Sequence, residues 1–356
     1  MLAYLPVPYD LESNKVVMRA VIEAHKALAE LKGVARTIPN EAILINTLVL
    51  QEAKESSAIE NIITTHDELF RADSFSEHIS KETKEVLNYA QALKTGFALI
   101  KQNGFISNRM LLQVQEIIEQ NKAGFRRVSG TTIQNTHTQE VIYTPPQSHD
   151  EILNLMSNLE HYINDTTDAT DDLIRMAVIH YQFEKIHPFY DGNGRTGRIL
   201  NILYLVLKNI LDLPILYLSR YIIRHKSDYY RLFRLEPNQD TWTEWILFML
   251  EGVRVTALET IDLIADMRSL MDHFKVEMKT KVPKIYSKDL LENLFKHPYT
   301  KIRYVQNDLG ISQTTAVSYL KQLESIGLLS RHKVGVETFY VNDALYNLFL
   351  HVKKIR

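Results

Sequence analysis

At 356 residues, 45% of them hydrophobic and 24% charged, the chain is long enough for two or three domains, and disordered and fibrous classes are excluded. It has no cysteine, which excludes disulfides, thiolate zinc sites and a cysteine nucleophile, and suits a reducing compartment. The net charge of −2 is unevenly spread: residues 284–356 carry 11 Lys+Arg against 6 Asp+Glu, so the last segment reads as a separate basic unit and a weak pointer to an acidic partner.

Residues 1–10 lack a basic stretch followed by an apolar one, so no secretory signal is read and the cytoplasm is expected. From 14 to 280, apolar positions recur at three- and four-residue spacing, predicting an all-α body. Expected helix signals are a stop at Gly33, starts at Asn40 (after Pro39) and Ser107, and a capping box from Ser148 to Glu151. Residues 129–146 break the pattern. They are Thr-rich, contain Ile133, Val141, Ile142 and Tyr143, close on Pro145-Pro146, and read as a β-hairpin with a polar tip at 136–139. Such a hairpin is either a surface ornament or a flap whose edge pairs with an extended segment of a partner.

The most apolar run, 199–218, is interrupted by Asn201, Lys208, Asn209, Asp212 and Pro214; it fails as a membrane span and predicts a core helix ending before Pro214. Residues 281–284, Lys-Val-Pro-Lys, read as a linker between two cores. Beyond them the order is helix (287–296), helix (299–308), a Gly310 turn, helix (312–326) and two strands (328–333 and 337–341), resembling a winged helix-turn-helix. The expected division is 1–105 (N-terminal helical region), 106–250 (core), 251–283 (helical connector and linker) and 284–356 (winged-helix unit).

Chemistry concentrates in residues 187–198, His-Pro-Phe-Tyr-Asp-Gly-Asn-Gly-Arg-Thr-Gly-Arg, between two apolar-periodic helices. Gly192 and Gly194 permit a tight turn and close ligand approach, and a helix starts at once, giving a nest of N–H groups at a positive helix end that suits phosphate. Arg195 and Arg198, three apart on the first helical turn, can face one anion. Asp191 beside them calls for a bridging Mg²⁺ held by one carboxylate, phosphate oxygens and water. His187 suits proton abstraction from an attacking hydroxyl. The set describes group transfer from a nucleoside triphosphate, against the bland alternative of a Gly-rich loop with structural salt bridges. His180, seven residues before His187, has no further ligand at zinc spacing and reads as a packed histidine.

The twelve residues match the signature H-P-F-x-[D/E]-G-N-G-R-x-x-R, and the chain thereby resembles the Fic family of protein adenylyltransferases. The resemblance implies an all-α Fic core with a small hairpin flap and transfer of AMP from ATP, with pyrophosphate leaving, to Ser, Thr or Tyr hydroxyls of targets and of the protein itself. It makes His187 the base, Asp191 the Mg²⁺ ligand, and Gly192, Asn193 and Gly194 the anion hole, with Thr196 and Gly197 in the same nucleotide-binding turn. Arg195 would hold the outer phosphates, Arg198 the γ-phosphate, and Phe189 would brace the loop. Ile133, Val141, Ile142 and Tyr143 fall on the flap that docks targets, and Tyr229 and Tyr230 resemble the stretch lining the adenosine pocket. Upstream, Ser56, Glu60 and Asn61 match the inhibitory motif [S/T]-x-x-x-E-[G/N], so Glu60 is expected to pair with Arg198. Gly194 argues against the kinase-like relatives, which carry a bulkier residue there. Removal of AMP, with Glu60 orienting a water, is an alternative on the same fold.

A DNA-binding regulator is the alternative of another class. Residues 312–326 carry one basic residue, Lys321, fewer than a strong DNA reader shows. A homodimer, DNA or a recruited protein are all compatible with the tail.

Overall fold

The computed structural model describes residues 2–72, 79–134, 141–334 and 337–350. The elements run α1 (Lys15–Ala35), α2 (Glu41–Ile59), α3 (His66–Ala72), α4 (Lys81–Asn103), α5 (Asn108–Glu119), β1 (Ile133–Gln134), β2 (Val141–Tyr143), α6 (His149–Asn164), α7 (Asp172–Ile186) and α8 (Asn193–Leu207). They continue with α9 (Leu218–Arg224), α10 (Lys226–Arg234), α11 (Gln239–Lys281), α12 (Lys288–Lys296), β3 (Tyr299–Thr300), α13 (Ile302–Leu309), α14 (Gln313–Ser325), β4 (Ser330–Val334), β5 (Glu337–Val341) and α15 (Asp343–Leu350). No described helix is long and apolar enough to cross a membrane.

The body is helical, as the periodicity predicts. α7 and α8 form its centre, with every residue of α7 from Leu173 onward buried. α2 is fastened by a polar contact inside the core: buried Glu52 accepts hydrogen bonds from Tyr89 Oη of α4 (3.1 Å) and from the Ser219 amide of α9 (3.2 Å). Burial pushes the Glu52 carboxyl up to about 7, so these donors are what make the position tolerable. The same helix carries Ser56 and ends at Glu60.

Asn40 and Ser107 cap α2 and α5 through their side chains, as expected. Other signals fail for identifiable reasons. Gly33 does not stop α1, which runs two residues further; no left-handed φ is imposed there, and tertiary packing of Leu28, Leu31 and Ala35 outweighs its weak helix propensity. Ser148 caps α6 without a side-chain hydrogen bond, so the capping box is not formed. The core helix expected to end before Pro214 does so, at Leu207, and Asn209 with φ 55° turns the chain.

α11 spans 43 residues without a break, about 65 Å at 1.5 Å per residue, so the expected core end at 250 and the connector 251–283 lie on one helix. After it, the three helices α12–α14 and a sheet of order β3-β5-β4, antiparallel throughout, fit a winged helix-turn-helix, and α15 follows. Residues 299–300, expected to open a helix, are instead the short strand β3 paired with β5. This unit packs on the body through an aromatic seam. Phe70 stacks on Tyr299 at 5.8 Å and meets Phe349 at 5.8 Å, and Phe274 meets Phe295 edge-on at 5.3 Å. Its apolar core is thus continuous with that of the body rather than a second one beyond a linker.

The hairpin forms: β1 pairs antiparallel with β2, Ile133 opposite Tyr143. Its expected tip at 136–139 and the Ile142 side chain lie outside the described residues.

Candidate active site

The loop between α7 and α8 is held from within. His187 closes α7 in the left-handed region at φ 48°, its amide bonded to Phe183 O at 3.0 Å. Phe189 is wholly buried between Phe125 (5.3 Å) and Phe183 (6.2 Å) and anchors the turn in the core. Asn193 is 2% exposed and folds its side chain back: Oδ1 accepts from Phe189 N at 2.8 Å and Nδ2 donates to Phe189 O at 2.9 Å. Asn193 therefore braces the loop through its side chain, leaving only its backbone N–H for the anion nest.

Buried Arg126, which sequence reasoning missed, is a strut. Its Nε donates to His187 O at 2.8 Å and its amide to Pro188 O at 2.8 Å, while Nη2 reaches Pro146 O at the end of the hairpin. It ties the His187 backbone to the end of the hairpin segment. Its only sequence signal is an arginine after an apolar helix end, which has many ordinary readings.

α8 opens at Gly192, φ 79°, a conformation that a β-carbon would strain; that atom would also sit 2.7 Å from Glu119 Oε1. A β-carbon at Gly194 would lie 2.5 Å from Glu60 Oε1 and 2.9 Å from Arg198 Nη1. The glycines let the first turn of α8 face a cavity of about 500 Å³ that His187, Asp191, Arg195, Arg198, Tyr229 and Tyr230 also line. Thr196 and Gly197 do not reach it. Thr196 is wholly buried, and Gly197 is pressed against Phe183 and Glu184, so both belong to the packing of α8 rather than to the cavity wall.

Burial pushes the His187 imidazole down to about 4, partly offset by the Glu184 carbonyl; the ring is a neutral base at pH 7. Asp191 is largely exposed (77% of its side chain); its Oδ1 accepts from Gly192 N at 2.7 Å, and Arg195 Nη2 stands 3.9 Å away.

Both arginines are held by carboxylates. Arg198, 3% exposed, donates through Nε to Ser56 Oγ (2.7 Å) and through Nη2 to Ser56 O (3.1 Å) and Glu60 Oε1 (2.8 Å). Burial alone would raise the Glu60 carboxyl; Arg198, with Arg195 and Lys226 behind it, holds it below the usual range. Asn61 then takes φ 63°, ending α2, which gives a physical reason for Gly or Asn at the last motif position. Lys226 Nζ donates to Ile59 O at 2.6 Å and covers the helix end. Arg195 donates through Nη2 to Glu119 Oε1 at 2.6 Å and faces Glu85 Oε2 at 3.5 Å. Neither acid was picked out by sequence reasoning, since they lie 76 and 110 residues upstream on α5 and α4.

Tyr229 is a packed residue at the cavity wall: its Oη lies 3.0 Å from His180 Nε2, and both rings pack on Trp245. This also explains His180, a buried core histidine with no metal cluster among the described residues. On the hairpin, Ile133 reaches the cavity and Val141 is exposed. Tyr143 turns inward, its ring 4.0 Å from Lys185 Nζ and edge-on to Phe233 at 5.8 Å.

Three family models match the chain in order. The model of the Fic/DOC family N-terminal region matches residues 18–98, that of the Fic/DOC family residues 105–205, and that of the protein adenylyltransferase SoFic-like C-terminal domain residues 270–345. The chain belongs to the Fic/DOC family. Over 94% of its length the Fic chain superposes on 97% of a Fic family protein from Desulfovibrio desulfuricans with TM-score 0.60 at 21% identity. Fic-1 from C. elegans matches with TM-score 0.52 at 19% identity over 72% of this chain and 73% of that one. Among curated proteins, the protein adenylyltransferase Fic of Drosophila grimshawi is 26% identical over 198 residues, 54% of this chain and 37% of that protein. A probable protein adenylyltransferase of Aquifex aeolicus is 27% identical over 157 residues, 41% of this chain and 47% of that one. The match spans less than half the length of either relative.

Proposed function

We propose that this chain transfers AMP from ATP to a protein hydroxyl. The observation that carries the reading is the pairing, in one cavity, of a neutral His187 with the open N-terminal turn of α8 and two buried arginines. The helix N-terminus and its glycines suit the α-phosphate, and Arg195 and Arg198 suit the outer ones. His187 takes the proton of the incoming hydroxyl as its oxygen attacks the α-phosphorus; the bond to the β-phosphate oxygen breaks and pyrophosphate leaves. Asp191, a single exposed carboxylate beside the nest, would hold a Mg²⁺, and the acids that line the cavity favour such a counter-ion for a polyanion. When bound, the ion offsets phosphate charge.

In this arrangement Glu60 is inhibitory. Its carboxylate occupies Arg198 and stands against Gly194, so a γ-phosphate meets a filled guanidinium and a like charge. The hairpin edge is the docking site for an extended target segment, fixed to the catalytic histidine through Arg126. Relatives bearing the name protein adenylyltransferase support the same reading. The test is incubation with α-labelled ATP in a cell extract and identification of labelled proteins: label on protein supports the reading, and its absence with both wild type and Glu60→Gly contradicts it.

A further inference from the structure

Glu184 stands one helical turn before His187 and is 6% exposed, yet its carboxyl forms no hydrogen bond or ion pair with any described residue, and Oε1 is without a partner. An orphan acid in a folded core is destabilising, by about 1–3 kcal/mol for an unsatisfied polar group, so its retention calls for a partner that arrives from outside. Glu184 lines the nucleotide cavity, which gives that partner a route. The fold also makes room for it. Gly197 sits inside α8 with ordinary helical geometry, where glycine costs about 1 kcal/mol against alanine, and a β-carbon there would collide with Glu184 Oε1.

Its place along the cavity narrows the partner. Glu184 lines the cavity together with Arg198, read above as the phosphate end, and with Tyr229 and Tyr230, read above as the nucleoside end. A nucleotide laid between those ends puts its ribose in the middle. Vicinal hydroxyls are donors matched to a carboxyl, and burial, which pushes Glu184 up to about 7, limits its repulsion of the phosphates.

We propose that Glu184 is a specificity-determining residue that hydrogen-bonds a ribose hydroxyl of the bound nucleotide. The inference rests on the reading of this cavity as an ATP site. The competing role is a second holder for Arg198 once Glu60 departs, and it differs in what it reads: the γ-phosphate rather than the sugar.

The experiment compares dissociation constants of ATP, ADP, 2′-deoxy-ATP and 3′-deoxy-ATP for the full-length wild type, Glu184→Met and Glu184→Gln, together with the melting temperature of each. Wild type should bind ATP at least tenfold more tightly than one of the deoxy analogues. Glu184→Met, which fills the volume without a polar group, should weaken ATP and ADP by that factor, leave the discriminated analogue unchanged, and melt at the same or a higher temperature. Glu184→Gln, still able to bond a hydroxyl, should keep most of the preference. Equal weakening of all four nucleotides with a lower melting temperature, a loss confined to ATP over ADP, or wild-type indifference to both hydroxyls overturns the proposal. Failure of both wild type and Glu60→Gly to bind ATP at all overturns the transfer reading with it.

Discussion

One carboxylate oxygen, Glu60 Oε1, bonds Arg198 at 2.8 Å and stands 2.5 Å from where a β-carbon on Gly194 would be. A single atom thus takes up both the guanidinium and the space above the first turn of α8. Glu60→Gly should raise AMP incorporation by an order of magnitude or more, since a redirected charged pair is worth a few kcal/mol and about 1.4 kcal/mol is tenfold in rate. The gain should vanish in the double variant with Arg198→Ala. An unchanged or lower rate in the single variant would falsify autoinhibition.

The His187 base should set an unusual acid limit. Its folded value, about 4, lies below the 6.5 of a free imidazole, so the neutral base persists as pH falls and is lost only near the folded value. With Glu60→Gly as the active form, kcat/KM should show no histidine-like decline between pH 7.5 and about 5. The same shift lowers stability as pH falls from 6.5 towards 4, because the unfolded chain takes up the proton first. A midpoint near 6.5 in the rate profile would show that the ring is not buried as described.

Asn193 should matter for stability as well as for activity. Asn193→Ala removes two hydrogen bonds from buried backbone groups of Phe189, at about 1–3 kcal/mol for each group left unsatisfied. The melting temperature should fall along with transfer. A variant as stable as wild type, inactive only through lost nucleotide affinity, would place the side chain in the anion hole instead.

Much of this site was legible because its parts are local. Residues 187–198 fall on one turn between two helices, and the motif at 56–61 ends where Asn61 turns left-handed, so sequence spacing carries the geometry. The placement of Glu60 against Arg198, 138 residues away, followed from family resemblance rather than from spacing. Arg126, Glu119, Glu85 and Glu184 were not legible. Each is an isolated charged residue whose role depends on which helix packs beside it, and nothing local distinguishes such residues from solvated ones. Thr196 and Gly197 were placed in the nucleotide turn by their neighbours, but helical geometry points them into the packing.

The aromatic seam changes what truncation does. Removal of 284–356 exposes Phe70 and Phe274, 6% and 2% exposed in the full chain, and each large apolar side chain returned to water costs about 1.5–3 kcal/mol. The truncated protein should melt at a lower temperature than the full chain and bind an apolar dye. An unchanged melting temperature would restore the simpler picture of two separate cores.

The central claim is that His187 directs a hydroxyl onto the α-phosphorus, and the most direct measurement compares label retained on protein from α-labelled and γ-labelled ATP, using Glu60→Gly with and without His187→Ala. Only the α-label should be retained, and His187→Ala should lower it by about 10²–10⁴ while ATP binding persists. Retention of the γ-label, or undiminished labelling by His187→Ala, would contradict it.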